Sequence, residues 1–266
     1  EASWYAGPAV VETFGEAGFS PVNKEECFAL SGYQENVVRS YNNEFTQLMN
    51  RYVPEEETSF TIIAFPRPEI GEPYGEIFKE IIRINTLDYE VYKDLQQKLI
   101  DVLDQADYVE IKGKDGNVTD LRVKLHPLSN PETETNFENC VADVNIPLGE
   151  VFTSPKLMGT DGLLNVKSVY IGDFQFKNLK LWFENGMVKD YSCDNMEDKG
   201  QSRKLVRQVI MKNHESLPIG EFAIGTNTTA YAMGRKYGIV DRLPILIVEK
   251  MGPHFAVGDT CYSWAE

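Results

Sequence analysis

Apolar residues recur near the helical period over residues 35–49, where Val37, Val38, Tyr41, Phe45, Leu48 and Met49 alternate with polar groups. Residues 59–65 form a short β-branched and aromatic run that Pro66 and Pro68 stop, which predicts a buried strand feeding a loop over 67–75. The clearest helical pattern covers 88–104. There Leu95, Leu99, Val102 and Leu103 face one way, and Lys93, Asp94, Gln96, Gln97 and Asp101 are assigned to water. A strand at residues 108–112 closes a strand–helix–strand order. Beyond it the pattern becomes β-rich. A turn at 113–117 precedes a strand at 120–126, residues 127–139 are polar, and strands follow at 164–170, 174–183 and 187–193, the last two joined by Asn185-Gly186. A helix at 202–211 and a buried apolar strand at 244–248 complete the reading.

These elements predict an α/β N-terminal region, residues 1–107, followed by an α+β, strand-rich domain, residues 108–266. A chain of 266 residues with 42% apolar and 25% charged positions has the make-up of a globular protein. Its formal charge of −15 argues against nucleic acid and anionic membrane as partners, and is compatible with metal ions and free amino termini. No apolar run approaches the roughly 18 residues of a membrane span. The start, Glu1-Ala2-Ser3-Trp4-Tyr5, lacks the features of a signal peptide and an initiator Met, so a processed chain or a fragment is expected. Cys27, Cys140, Cys193 and Cys261 lie far apart with no C-x-x-C pair, which favours a reducing compartment.

One frame occurs twice. Ile146-Pro147-Leu148-Gly149-Glu150-Val151-Phe152 and Leu217-Pro218-Ile219-Gly220-Glu221-Phe222-Ala223 both read apolar-Pro-apolar-Gly-Glu-apolar-apolar. Pro fixes φ, Gly permits a sharp turn, and the Glu that follows has apolar neighbours on both sides. A carboxylate pressed against a core needs a partner, and two of them could share a divalent cation. Two ordinary turns with solvated glutamates fit the same pattern, and the repeat alone does not choose between them.

Residues 248–262 add Glu249, His254, Asp259 and Tyr262 just after the apolar run at 244–248. Imidazole and carboxylate suit Zn²⁺ or another first-row ion. A hydrogen-bonded loop histidine is the plainer reading of His254 by itself. There is no H-E-x-x-H, G-x-S-x-G, P-loop or G-x-G-x-x-G. Cys140 and Cys261 would be nucleophiles only with a histidine that spacing does not reveal. His126 and His214 have no supporting neighbours and are read as structural.

Taken in series, Pro-Leu-Gly-Glu-Val-Phe-Thr-Ser-Pro (147–155), Ile-Gly-Glu-Phe-Ala-Ile-Gly-Thr-Asn (219–227) and His-Phe-Ala-Val-Gly (254–258) resemble the thermophilic-type metallo-aminopeptidases, the aminopeptidase T and aminopeptidase S group. The resemblance is good over about residues 105–266 and loose before that. It implies a cytoplasmic, typically homodimeric exopeptidase that acts at the free N-terminus of peptides with two divalent ions, zinc or cobalt. Glu150 and Glu221 match the family's glutamate ligands, and His254 its histidine ligand. Glu249 matches a further carboxylate beside the metals, without the family's surrounding Asp-Glu-Asn. Proton transfer would fall to Glu221 or Glu249. The family's catalytic tyrosine follows the histidine by seven residues. Here that position is Cys261, and a one-residue insertion would bring Tyr262 into the role. The family's later His-x-Asp pair does not occur before Glu266, so the chain alone is expected to hold metal weakly and to be inactive. A relative kept as a binding or assembly module, and a metal-dependent hydrolase of another substrate class, are the alternatives.

Overall fold

The computed structural model describes residues 30–52, 61–142, 144–171 and 174–258. They fall into two units at residue 62. Among the described residues, the first unit supplies helix α1 (Gly32–Tyr52), which is the helix anticipated over 35–49 and has no buried residue. The apolar stripe of Val37, Val38, Tyr41, Phe45, Leu48 and Met49 is exposed along it.

The second unit is mixed α/β. It opens with a two-residue strand, β1 (Ile62–Ile63), then α2 (Tyr74–Asn85) and α3 (Tyr89–Leu103). Ile62 and Ile63 are about 40% exposed and Phe65 is exposed too, so of the described residues of the expected buried strand Ala64 alone is buried; β1 pairs with β5 (Asn145–Ile146). Residues 59 and 60 of that expected strand lie outside the described residues. Helix α3 begins at its Asp88 cap, whose carboxylate accepts from Glu90 N. Its inward face departs from the apolar pattern. Leu95 and Val102 are exposed, while Gln96, Ile100 and Leu103 are buried. Gln96 stays dry because each end of its amide is used. Its Nε2 donates to Asn139 Oδ1 and the Cys140 carbonyl, and its Oε1 accepts from Thr226 Oγ1.

Five antiparallel strands make the larger sheet, in the order β2 (Tyr108–Lys112), β3 (Asp120–Lys124), β7 (Lys156–Ile171), β8 (Phe174–Glu184), β9 (Met187–Ser192). Its Leu121, Val123, Phe176, Leu179 and Leu181 pack with Ile100 of α3 and with Val206 of α4 (Lys199–Val209). A second antiparallel sheet runs β11 (Pro253–Val257), β10 (Ile219–Gly225), β6 (Glu150–Thr153), β4 (Glu138–Cys140). Val151 and Phe222 of this sheet join the same core. A separate apolar cluster brings Ile77, Ile81 and Ile84 of α2 against Ala230 and Met233 of α5 (Thr228–Tyr237) and Leu246 and Ile247 of α6 (Ile245–Val248). Residues 244–248 are therefore a helical turn rather than the expected strand. Four apolar residues carry no periodicity, and packing against α2 and α5 decides their form.

Candidate metal centre

The smaller sheet turns one face to the core and the other to the candidate residues. In β10 the side chains of Phe222 and Ile224 go to the core, so Glu221, Ala223 and Gly225 share the opposite face. Register then places the partners. Glu150 of β6 pairs with Gly225, His254 of β11 pairs with Ala223, and Ala256 pairs with Glu221 in the same register, just before the ladder becomes irregular between Glu221 and Ile219. The small residues Ala223 and Gly225 in the middle strand leave room for the longer side chains on either side. Glu150, Glu221 and His254, separated by up to 104 positions in the chain, thus meet on one surface.

The meeting is close. His254 Nε2 lies 3.1 Å from Glu150 Oε2 and 3.4 Å from Glu221 Oε1. On its other side His254 Nδ1 is 3.2 Å from the Gly252 carbonyl, so that Nδ1–H donates there and Nε2 is turned to the two carboxylates, free to bind an ion once its own proton leaves. Glu150 Oε2 and His254 Nε2 are both buried without a well-aligned hydrogen bond. Two buried acceptors that face each other require a proton or a cation between them.

Sequence reasoning passed over Lys250. This side chain is completely buried, and its ammonium donates to Glu150 Oε1 and, at 3.0 Å, to Glu249 Oε1. It arrives on the turn Glu249–Met251, which follows α6 directly. Burial opposes the charge on Lys250, but Glu150 and Glu249 outweigh it and hold its pKa above the ordinary lysine value. Burial likewise opposes ionisation of Glu150, yet His254 and Lys250 draw its pKa down to about 2. For Glu249 burial prevails and the pKa rises, despite the neighbouring Lys250. Burial works against an imidazolium at His254, but the Glu150 and Glu221 carboxylates push its pKa up to about 9.

Asn227 and Gly225 fix this arrangement. Asn227 caps α5 through Ala230 N, donates from Nδ2 to the Leu148 carbonyl, and donates its backbone N–H to the Lys250 carbonyl. It therefore ties together the turn that presents Glu150 and the turn that presents Lys250. An Asn before Thr-Thr and a helical run is a recognisable cap, but nothing in the sequence gives the two carbonyls it reaches. A Cβ on Gly225 would come within 2.3 Å of the Lys250 carbonyl carbon and 2.5 Å of the Glu249 oxygen. Gly225→Ala is expected to cost roughly 1–3 kcal/mol and to displace the Glu249–Met251 turn; thermal denaturation measures the first, and an unchanged melting temperature would refute the close packing.

Among the described residues, no three His, Cys, Asp or Glu side chains form a ready metal cage. Glu150, Glu221 and His254 touch one another directly instead of ringing a shared centre, so an ion must enter between them. Their donor types, and the orphaned Oε2 and Nε2, fit a divalent cation. Cys140 is buried and its thiol is pushed up to about 12, first by burial and then by Glu150, which rules it out as a ready thiolate nucleophile. Tyr262, Asp259 and Cys261 lie outside the described residues.

The chain belongs to a family of metal-dependent peptidases: residues 29–262 match the thermophilic metalloprotease family (M29). Membership implies a metal cofactor. Among solved structures the chain is similar to wild-type AmpT from Thermus thermophilus, with a TM-score of 0.53 and 20% identity over 75% of this chain and 51% of that one. At that identity the likeness is one of fold, and the chain spans about half the length of that structure. No curated protein matches the sequence. Among the described residues, no helix is long and apolar enough to cross a membrane.

Proposed function

We propose that the protein is a metal-dependent aminopeptidase, with Glu150, Glu221 and His254 as ligands of its metal centre. The observation that carries this reading is the convergence of two carboxylate oxygens on His254 Nε2, with Glu150 Oε2 and Nε2 both buried and dependent on a proton or a cation between them. The bound ion, zinc or cobalt, supplies Lewis-acid polarisation of a carbonyl and acidifies water. The resemblance implies two such ions, a cytoplasmic homodimer, and peptides with a free N-terminus as substrates. A free amino group suits a chain of charge −15.

Glu249 is the side chain best suited to proton transfer. Burial lifts its pKa towards the working range, and it stands beside Glu150 through their shared Lys250. It would take a proton from the attacking water and give it to the leaving amine. Tyr262 would hydrogen-bond the developing oxyanion. The test is release of aniline from amino-acid anilides by the purified full-length protein with added Zn²⁺ or Co²⁺. Activity is expected on anilides with a free α-amine and not on their N-acetyl forms. Glu249→Gln is expected to lower kcat by about 10²–10⁴-fold with the metal content retained. A folded, metal-loaded protein that cleaves neither anilide would count against the proposal.

A further inference from the structure

We infer that Lys250 is a built-in cation occupying the place of a second metal ion between Glu150 and Glu249, so that the centre takes one divalent ion per chain. The inference rests on the metallopeptidase reading above and departs from the two ions that the resemblance implies. Its basis is the way Glu150 is divided. Oε1 receives the Lys250 ammonium, while Oε2 faces His254 Nε2 at 3.1 Å with no aligned partner. A carboxylate that bridges two ions gives one oxygen to each. Here one of those oxygens is already committed, and so is Glu249 Oε1.

The ammonium cannot readily withdraw. Lys250 is 0% exposed. Its carbonyl is held by Asn227 N at 2.8 Å, and its backbone lies against Gly225 too closely to admit a Cβ. A second divalent ion placed between Glu150 and Glu249 would meet a fixed positive charge in a dry site. Charge counting agrees. Among the described residues, Glu150, Glu221 and Glu249 bring three negative charges, which Lys250 and one divalent ion balance with His254 neutral. A second ion leaves the cluster with two net positive charges in the protein interior, which is costly. The place left for metal is therefore among Glu150 Oε2, Glu221 Oε1 and His254 Nε2, which an entering ion would part.

The experiment is metal stoichiometry of the purified, chelator-stripped protein. Equilibrium dialysis against Zn²⁺ with elemental analysis is expected to give one ion per chain for the wild type and two for Lys250→Met, which keeps the unbranched stem as far as Cε and removes the ammonium and its charge. Electron paramagnetic resonance after loading with Mn²⁺ is a second readout that needs no variant: an isolated six-line spectrum is expected, and a spin-coupled pair overturns the inference. Two zinc ions in the wild type, or one in a folded Lys250→Met, also overturn it and leave the peptidase reading standing. No ion in the folded wild type refutes both.

Discussion

Glu150→Ala is expected to cut metal-dependent activity by orders of magnitude and to destabilise the fold at the same time. The two effects come from the two oxygens of one carboxylate. Oε1 is an acceptor for an ammonium that has no access to solvent, and removing it strands the Lys250 charge with only Glu249 as partner. Breaking a buried pair by deleting one member costs about 3–5 kcal/mol. For a chain of this size each kcal/mol moves the melting temperature by roughly 2–4 °C, so thermal denaturation resolves the loss easily. Oε2 is the proposed ligand atom nearest His254, and loss of an interaction worth several kcal/mol in the transition state would lower kcat/KM by roughly a hundredfold to a thousandfold. Glu150→Gln separates the effects: the amide oxygen still accepts from Lys250, so stability recovers in large part while activity does not. An alanine variant that melts with the wild type would remove Lys250–Glu150 from the account of the fold.

The same pair shows what the sequence could and could not disclose. Glu150 and Glu221 are legible because the Pro-x-Gly-Glu frame is local, although the two copies are used differently: Glu150 opens β6 directly after its glycine turn, whereas Glu221 is the third residue of β10 and its glycine is part of the strand. Their meeting with His254 depends on register between β6, β10 and β11, and register is a long-range property. Lys250 was hidden for another reason. Charged residues belong to water by default, and only the approach of two distant carboxylates makes burial of a lysine tolerable. Gln96 is the neutral version of the same case. The apolar positions of α3 place Leu95 and Val102 inward, yet the helix is turned so that Gln96 reaches Asn139, Cys140 and Thr226. Polar partners supplied by other segments outweighed periodicity within one segment. At 244–248 the shortfall is one of length: an apolar run of that size is equally a strand or a helical turn until its neighbours are known. The helices at 32–52 and 89–103, by contrast, are long enough for period to decide.

Affinity for Zn²⁺ is expected to rise steeply with pH between pH 6 and 8, because the ion and a proton compete for His254 Nε2. Without an ion, Glu150 and Glu221 overcome burial and hold the His254 proton up to about pH 9. Glu150, drawn down to about 2 by His254 and Lys250, is ionised throughout and adds no pH dependence of its own there. One proton then leaves for each ion bound, and apparent affinity changes by about tenfold per pH unit, roughly a hundredfold across the interval. Stability of the ion-free protein follows the opposite sign on the alkaline side. His254 has a folded pKa of about 9 against an ordinary 6.5, so its contribution is complete below 6.5 and is lost as pH rises through 9. Glu150 has a folded pKa of about 2 against 4.5, so its contribution is complete above 4.5 and is lost as pH falls towards 2. Bound metal takes over the role of the proton at Nε2, and the alkaline loss is then expected to disappear. Calorimetric titration at pH 6, 7 and 8 in buffers of different ionisation enthalpy measures both the affinity and the proton released. An affinity that stays flat over that range would mean that the ion does not bind at His254.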